Sequence, residues 1–247
     1  MKLGIGLVVK DGKEFIKQWL ECTEKIADEI YVIDNGADIE TFTTLINHPR
    51  VKYYLIQKDL ERNMSRDYQK ILDIAREDNC DWVLNLDIDE YIRYTPPIKM
   101  LIDYLNDSTD YSIAFPMIEM RNDNKHFIRV SSNNKDLKMA RMVHKCYKVL
   151  SHFKFDERDK HGCSIPHNCP RTKQAINIVI EHYGHMTDKL RAKKREKRGY
   201  EKDIDELKGS WMEDDDSKVI IEHIDAAYKE VKEIETKQIN INNNVGI

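Results

Sequence analysis

Three carboxylates, Asp87, Asp89 and Glu90, follow directly on the apolar run "WVLNL" within "CDWVLNLDIDEYI", residues 80–92. In a strand, side chains two positions apart share a face, so the spacing predicts Asp87 and Asp89 side by side with Ile88 turned toward a core. Adjacent carboxylates repel unless positive charge lies between them. A hard divalent cation, Mg2+ or Mn2+, meets that need, because it takes oxygen ligands and shares them with the phosphates of a bound substrate. A second acidic signal, Asp34-Asn35-Gly36, closes the run "EIYVIDNG". These residue types also dominate ordinary turns, so this one has two readings, a plain turn and an acceptor for ligand hydrogen bonds.

The elements around these acids alternate. Leu3 to Val9, "EIYVIDNG", "VKYYLIQ" and the run ahead of Asp87 read as strands, and the segments between them have helical spacing. The clearest helix lies in "RNMSRDYQKILDIARED", where Met64, Tyr68, Ile71, Leu72 and Ala75 share a face and Asn63 is placed to cap the start. Such alternation predicts an α/β protein with a mostly parallel sheet flanked by helices. Both acidic signals then fall at the carboxyl ends of strands, where open parallel sheets hold ligands. Further on, "TPPIKMLIDYLND" reads as a proline-started helix and "YSIAFPMIEMR" and "AINIVIEHYGH" as strands. Lys138 to Lys154 is strand-like with no topology implied. From residue 186 the chain turns basic, then acidic, and ends in the amphipathic "KVIIEHIDAAYKEVKEI", which predicts a helical carboxyl-terminal extension.

Composition narrows the function classes. A net charge of -4 over 247 residues is no footprint for nucleic acid. No run reaches the roughly 18 apolar residues of a spanning helix. The amino-terminal apolar run ends in Lys10-Asp11-Gly12 without a small-residue cleavage site, so it reads as a first strand and not as a leader. Five scattered cysteines suit a reducing, cytoplasmic setting better than a disulfide framework.

In the order of these pieces the sequence resembles glycosyltransferases of the GT-A fold, and is similar to family 2 among them. The resemblance covers roughly residues 1–185 and rests on "VVKDGKEFIKQWLECT", "EIYVIDNGADIET", "RNMSRDYQKIL" and "DWVLNLDIDEYI", the last corresponding to the family's Asp-X-Asp strand. It implies a GT-A domain over 1–185, with a nucleotide-binding half (1–92) and an acceptor half (93–185), followed by an extension over 186–247. It further implies a nucleotide-sugar donor, a Mn2+ or Mg2+ cofactor and a glycan or other hydroxyl acceptor. Asp34 would accept from the donor's base, Arg66 would lie near the donor, Asp87 would serve ribose and cation, and Asp89 would ligate the cation. Glu90 would orient these ligands or cap the turn.

"VIEHYGHMTDKLRAKKREKRGYE" is similar to the family's His-X-Gly stretch, which makes His182 a cation ligand, with His185 second. The basic run over 189–202 is either a solvated face, a partner for phosphates, or a peripheral contact to an anionic membrane surface. His161, Cys163, His167 and Cys169 have zinc-ligand types but not the spacing of a finger or ribbon. An inverting transferase needs a base for the acceptor hydroxyl. In the family an acid usually follows the His at this point, whereas here His161 is followed by Gly162. Asp156, Glu157, Asp159 and His161 remain as candidates, with Asp159 preferred. Val219, Ile220, Ile224, Ala227 and Val231 offer a helical seam for packing on the same chain or in an oligomer. A nucleotidyltransferase and a non-catalytic carbohydrate-binding scaffold are the rival expectations.

Overall fold

The computed structural model describes residues 1–57, 63–93, 98–120, 126–131, 137–138, 141–159, 163–171, 178–183 and 219–223. These form two compact units, one of residues 1–115 and 143–178, the other of residues 116–142 and 179–247.

In the first unit the elements alternate in chain order: β1 (Leu3–Val9), α1 (Ile16–Thr23), β2 (Glu29–Asp34), α2 (Ile39–Ile46), β3 (Val51–Ile56), α3 (Met64–Glu77), β4 (Trp82–Asn85), β5 (Glu90–Arg93) and α4 (Ile98–Asp107). The central sheet runs β4-β1-β2-β3. Its pairs β4·β1, β1·β2 and β2·β3 are all parallel. Ile5, Leu7, Ile30, Val32, Val83 and Leu84 are fully buried, the continuous apolar content expected of parallel strands covered on both faces. α3 packs on that sheet and α1 beside β5, each through an apolar stripe. On α1 the stripe is Ile16, Trp19, Leu20 and Thr23. On α3 it is Met64, Tyr68, Ile71, Leu72 and Ala75, packed with Tyr31, Ile33 and Val83. Burial of each large apolar side chain there contributes about 1.5–3 kcal/mol. Asn63 caps α3 through its side-chain oxygen, which accepts from Arg66 N at 3.0 Å.

The stretch from 138 to 154 resolves into β9 (Arg141–Lys148), antiparallel to β4 with Leu84 opposite Cys146. Phe153 and Phe155, just beyond it, join the cluster under α3, where Phe155 lies against Tyr68 at a ring separation of 5.7 Å.

The second unit takes over β6 (Ser112–Met120) from Pro116 onward. It adds β7 (His126–Ser131), β8 (Leu137–Lys138), β10 (Val179–His182) and β11 (Val219–His223). Here β10 runs parallel to β6, and β7 pairs antiparallel with both β6 and β11.

Two expectations are corrected. Val219 and Ile220 do not lie on a helix: Val219–His223 is a strand, in register with Val130 to His126 of β7. A short β-branched run fits either period, and the open edge of β7 decides for strand. The rest of the expected carboxyl-terminal helix, with Ile224, Ala227 and Val231, lies outside the described residues, as do the basic run and His185. The second correction concerns Asp87 and Asp89. β4 ends at Asn85, and both acids stand in the turn that leads to β5, so the two-residue strand spacing does not govern where they point.

Candidate functional site

The carboxyl ends of β2 and β4 carry Asp34, Asp87, Asp89 and Glu90, and α3 ties the two turns together. The first turn belongs to Asp34. Its Oδ1 accepts from Gly36 N at 2.8 Å and Ala37 N at 2.6 Å, and its Oδ2 accepts from Tyr54 OH at 2.6 Å. Gly36 sits at φ +115°, a conformation that glycine adopts without steric cost. Asp34 is buried and shapes this turn; the lone pairs that remain are what a ligand could use. Burial, followed by the bond to Asp34, pushes the Tyr54 hydroxyl far above its ordinary pKa, so it stays a donor.

The next residue leads to α3. Asn35 Nδ2 donates to Asp67 Oδ2 at 2.7 Å, and Gln57 Nε2 donates to Asp67 Oδ1 at 2.9 Å. Arg66 adds Nε and Nη2, both 3.1 Å from that same oxygen. Lys70 Nζ donates in turn to Gln57 Oε1. Asp67 is fully buried and ties the ends of β2 and β3 to the start of α3. Arg66, expected beside the donor, pairs with Asp67 while keeping its side chain 22% exposed.

The acidic turn after β4 is built differently. Glu90, the first residue of β5, returns its carboxylate to the turn: Oε2 accepts from Asp87 N at 2.9 Å, while Glu90 N donates to Asp87 O at 3.0 Å. That reciprocal pair fixes the turn, the capping role expected of Glu90. Tyr68, one position along α3 from Asp67, donates its hydroxyl to Asp87 Oδ1 at 3.2 Å. Burial, reinforced by the charges of Asp87 and Glu90, raises the Tyr68 pKa well above its usual value. Asp89 is buried, and the Asp87 carboxylate is 39% exposed.

Among the described residues, one cation stands inside the turn. Lys145 of β9 places Nζ 2.9 Å from Glu90 Oε2 and 3.8 Å from Asp87 Oδ2. Its side chain is 7% exposed. Burial works to lower its pKa, but the charges of Asp87 and Glu90 and the bond to Glu90 outweigh it, so the pKa is raised and the ammonium stays charged. Sequence reasoning missed Lys145, Tyr68 and Asp67. Nothing in "RMVHKCYK", where Arg141, His144 and Lys148 are basic too, sets Lys145 apart; only the pairing of β9 with β4 brings it abreast of the end of β4.

The donor set fits a hard divalent cation. Asp87 and Asp89 supply carboxylate oxygens, one of them partly open to solvent, at the carboxyl edge of a parallel sheet. His182 closes β10 in the second unit and is buried there.

Around Asp159 the geometry joins part of the Cys and His cluster. His167 Nε2 lies 3.3 Å from Asp159 Oδ2, and Asp156 N donates to His167 Nδ1 at 2.8 Å. With Nδ1 accepting, the neutral ring carries its proton on Nε2 and donates to Asp159. Ligand atoms of Asp159, Cys163 and His167 lie within 4.8 Å of one another. A metal there would need the Nε2 lone pair, which this tautomer does not offer, and Arg171 Nη2 stands 3.6 Å from Cys163 Sγ. Cys169 is turned away, donating to Tyr111 O at 3.4 Å. His161 lies outside the described residues. This loop is tied to α3 as well, since Asn63 Nδ2 donates to Glu157 O at 2.8 Å.

No family model matches the chain, and no curated protein does. Solved structures similar to part of it include mannose-1-phosphate geranyltransferase from Thermus thermophilus, at 11% identity and TM-score 0.35 over 61% of this chain and 51% of that one. Glucosyl-3-phosphoglycerate synthase from Mycobacterium tuberculosis, in complex with Mn2+ and UDP-glucose, matches at 12% and 0.34 over 48% and 43%. 4-Diphosphocytidyl-2C-methyl-D-erythritol synthase matches at 11% and 0.35 over 60% and 74%. The chain thus spans about half the length of the first two. These are nucleotide-diphospho-sugar transferase-like folds, and a likeness of this size decides nothing about activity. No helix among the described residues is long and apolar enough to cross a membrane.

Proposed function

We propose that this chain is a metal-dependent glycosyltransferase that moves a sugar from a nucleotide-sugar donor to a hydroxyl acceptor by single displacement with inversion. The observation that carries the reading is the acidic turn after β4: a half-open Asp87 and a neighbouring Asp89, fixed by Glu90 at the carboxyl edge of the parallel sheet. It is joined by the sequence resemblance to family 2 of the GT-A transferases.

In this reading Asp87 and Asp89 hold Mn2+ or Mg2+. When bound, the cation supplies charge stabilisation at the departing diphosphate. The remaining work belongs to the chain. Asp34 shapes the turn beside the donor's base and offers the lone pairs left by Gly36, Ala37 and Tyr54. Arg66, held by Asp67, is assigned to the donor side from the resemblance. Asp159 takes the proton of the acceptor hydroxyl, and the Nε2 proton of His167 keeps its carboxylate in place. Holding donor and acceptor together supplies much of the acceleration.

A thermal-shift panel of nucleoside diphosphates and nucleotide sugars, with and without Mn2+, tests this on the wild type and on Asp89→Ala. The expected result is stabilisation by one nucleotide family that needs both Mn2+ and Asp89. No metal-linked shift with any nucleotide would move the assignment to a non-catalytic scaffold. Release of pyrophosphate from a nucleoside triphosphate in the presence of a sugar phosphate would move it to a nucleotidyltransferase.

A further inference from the structure

The acidic turn is not waiting for its first positive charge. Asp87, Asp89 and Glu90 together carry three negative charges, and the Lys145 ammonium stands among them, 2.9 Å from Glu90 and 3.8 Å from Asp87. A cation so close to the carboxylates opposes any second cation by direct Coulomb repulsion, which the buried setting screens poorly. Glu90 cannot turn away to leave the ammonium elsewhere, because its carboxylate also accepts from Asp87 N and braces the turn. Lys145 itself comes from β9, whose pairing with β4 fixes its place. The ammonium is therefore a permanent part of the turn.

We infer that Lys145 is a built-in counter-ion that holds down the affinity of this turn for a bare divalent cation, so that the cation is taken up together with the diphosphate it bridges. The charge balance points the same way. The ammonium already offsets part of the attraction that Asp87 and Glu90 offer a divalent cation. A diphosphate brings further anionic oxygens, so cation and diphosphate favour each other at a turn that binds either one weakly. Lys145 is thus a positioning residue that acts through the carboxylates and sets the order in which the site fills. The inference rests on the preceding reading only in taking this turn as the cation site; it does not depend on which group is transferred.

The test is the affinity for Mn2+ alone, measured on the full chain by electron paramagnetic resonance of the free ion. Lys145→Met removes the charge at nearly constant length, and we expect Mn2+ to bind at least tenfold more tightly than in the wild type without any nucleotide. Lys145→Arg, which keeps the charge, stays near the wild type. Because Lys145→Met leaves Glu90 buried without its cation, the same comparison is made in a Glu90→Gln background, where no such charge is stranded. There the double variant must again bind Mn2+ at least tenfold more tightly than Glu90→Gln alone. A merely structural Lys145 would give unchanged or weaker binding in both backgrounds, and that result overturns the inference. Gain of Mn2+ affinity without any nucleotide-linked shift in the wild type would sustain Lys145 as the counter-ion and remove the transferase reading. A nucleotide-linked shift with no gain on losing Lys145 would do the reverse.

Discussion

Both edges of the parallel sheet are lined with acids, and they use them differently. At the amino edge each carboxylate meets a donor that the strands leave over. Lys2 N donates to Asp81 at 2.6 Å, Leu3 N to Asp28 at 2.7 Å, Lys2 Nζ to Asp78 at 2.6 Å and Tyr31 OH to Asp78 at 2.5 Å. At the carboxyl edge Asp34 and Asp67 do similar work, but the turn after β4 carries charge beyond what its backbone uses. Asp87 keeps its carboxylate 39% exposed, and a buried lysine is held against Glu90. An acid that satisfies the backbone is part of the fold, whereas an acid that stays partly open beside others is available to a ligand. Residue type alone does not separate the two; the partners do.

The contrast is broken most severely at Asp67. Its side chain is fully buried and accepts from Asn35, Gln57 and Arg66, so Asp67→Ala leaves donors and a guanidinium without their acceptor. We expect a loss of about 3–5 kcal/mol, the usual cost of breaking a buried pair, read from urea denaturation; a loss below about 1 kcal/mol would remove Asp67 from the framework. Gly6 ranks next. A Cβ there would overlap Asn85 Oδ1 and lie 2.8 Å from Ile71 Cγ2. Gly6→Ala should cost about 1–3 kcal/mol by overpacking and, since Asn85 is the last residue of β4, should also weaken nucleotide-linked Mn2+ stabilisation. An unchanged metal-linked shift in a destabilised Gly6→Ala would show that the turn is insulated from the strand beneath it.

A smaller effect is expected from pH at the amino edge. Burial alone would raise the pKa of Asp78, but its bonds to Lys2 and Tyr31 outweigh that and lower it. A carboxylate with a depressed folded pKa contributes stability above its unfolded value of about 3.9 and loses that contribution as pH falls through the folded value. The melting temperature should therefore fall below about pH 4, and Asp78→Asn should flatten that slope. An equal slope in the variant would place the acid sensitivity elsewhere.

Much of this framework is legible in the residues, for definite reasons. Parallel strands buried on both faces announce themselves as apolar runs, as in Leu3–Val9, and the stripe of α3 with its Asn63 cap follows from period and cap chemistry. Lys145 was not legible as a site residue. Its partner Glu90 stands far away in the chain, and only the antiparallel pairing of β9 with β4 brings them together. Val219–His223 was misread because its three-residue β-branched run fits a helix as well as a strand until an open edge is supplied. The placement of Asp87 and Asp89 failed for a subtler reason: the strand stops at Asn85, so the two-residue rule was applied past the end of the element that justifies it.

The smallest stability effect belongs to one of the two residues assigned to the cation. Asp87→Asn keeps the side-chain oxygen for the Tyr68 hydroxyl at 3.2 Å, and the substituted group was already partly in solvent. Its loss of charge relieves repulsion toward Glu90 and Asp89 while giving up attraction to Lys145 at 3.8 Å, two changes that oppose one another. We expect a net change below about 1 kcal/mol, because the two changes offset one another and the Asp87 carboxylate is partly exposed. In the same protein the Mn2+-linked thermal shift with nucleotide should vanish. Asp34→Asn provides the opposite pattern, because its carboxylate holds Gly36 N, Ala37 N and Tyr54 OH. There we expect a loss of about 1–2 kcal/mol with the metal-linked shift retained in whatever fraction is folded. If Asp34→Asn instead folds well and loses nucleotide binding, the contact of this carboxylate with the donor's base outweighs its hold on the turn.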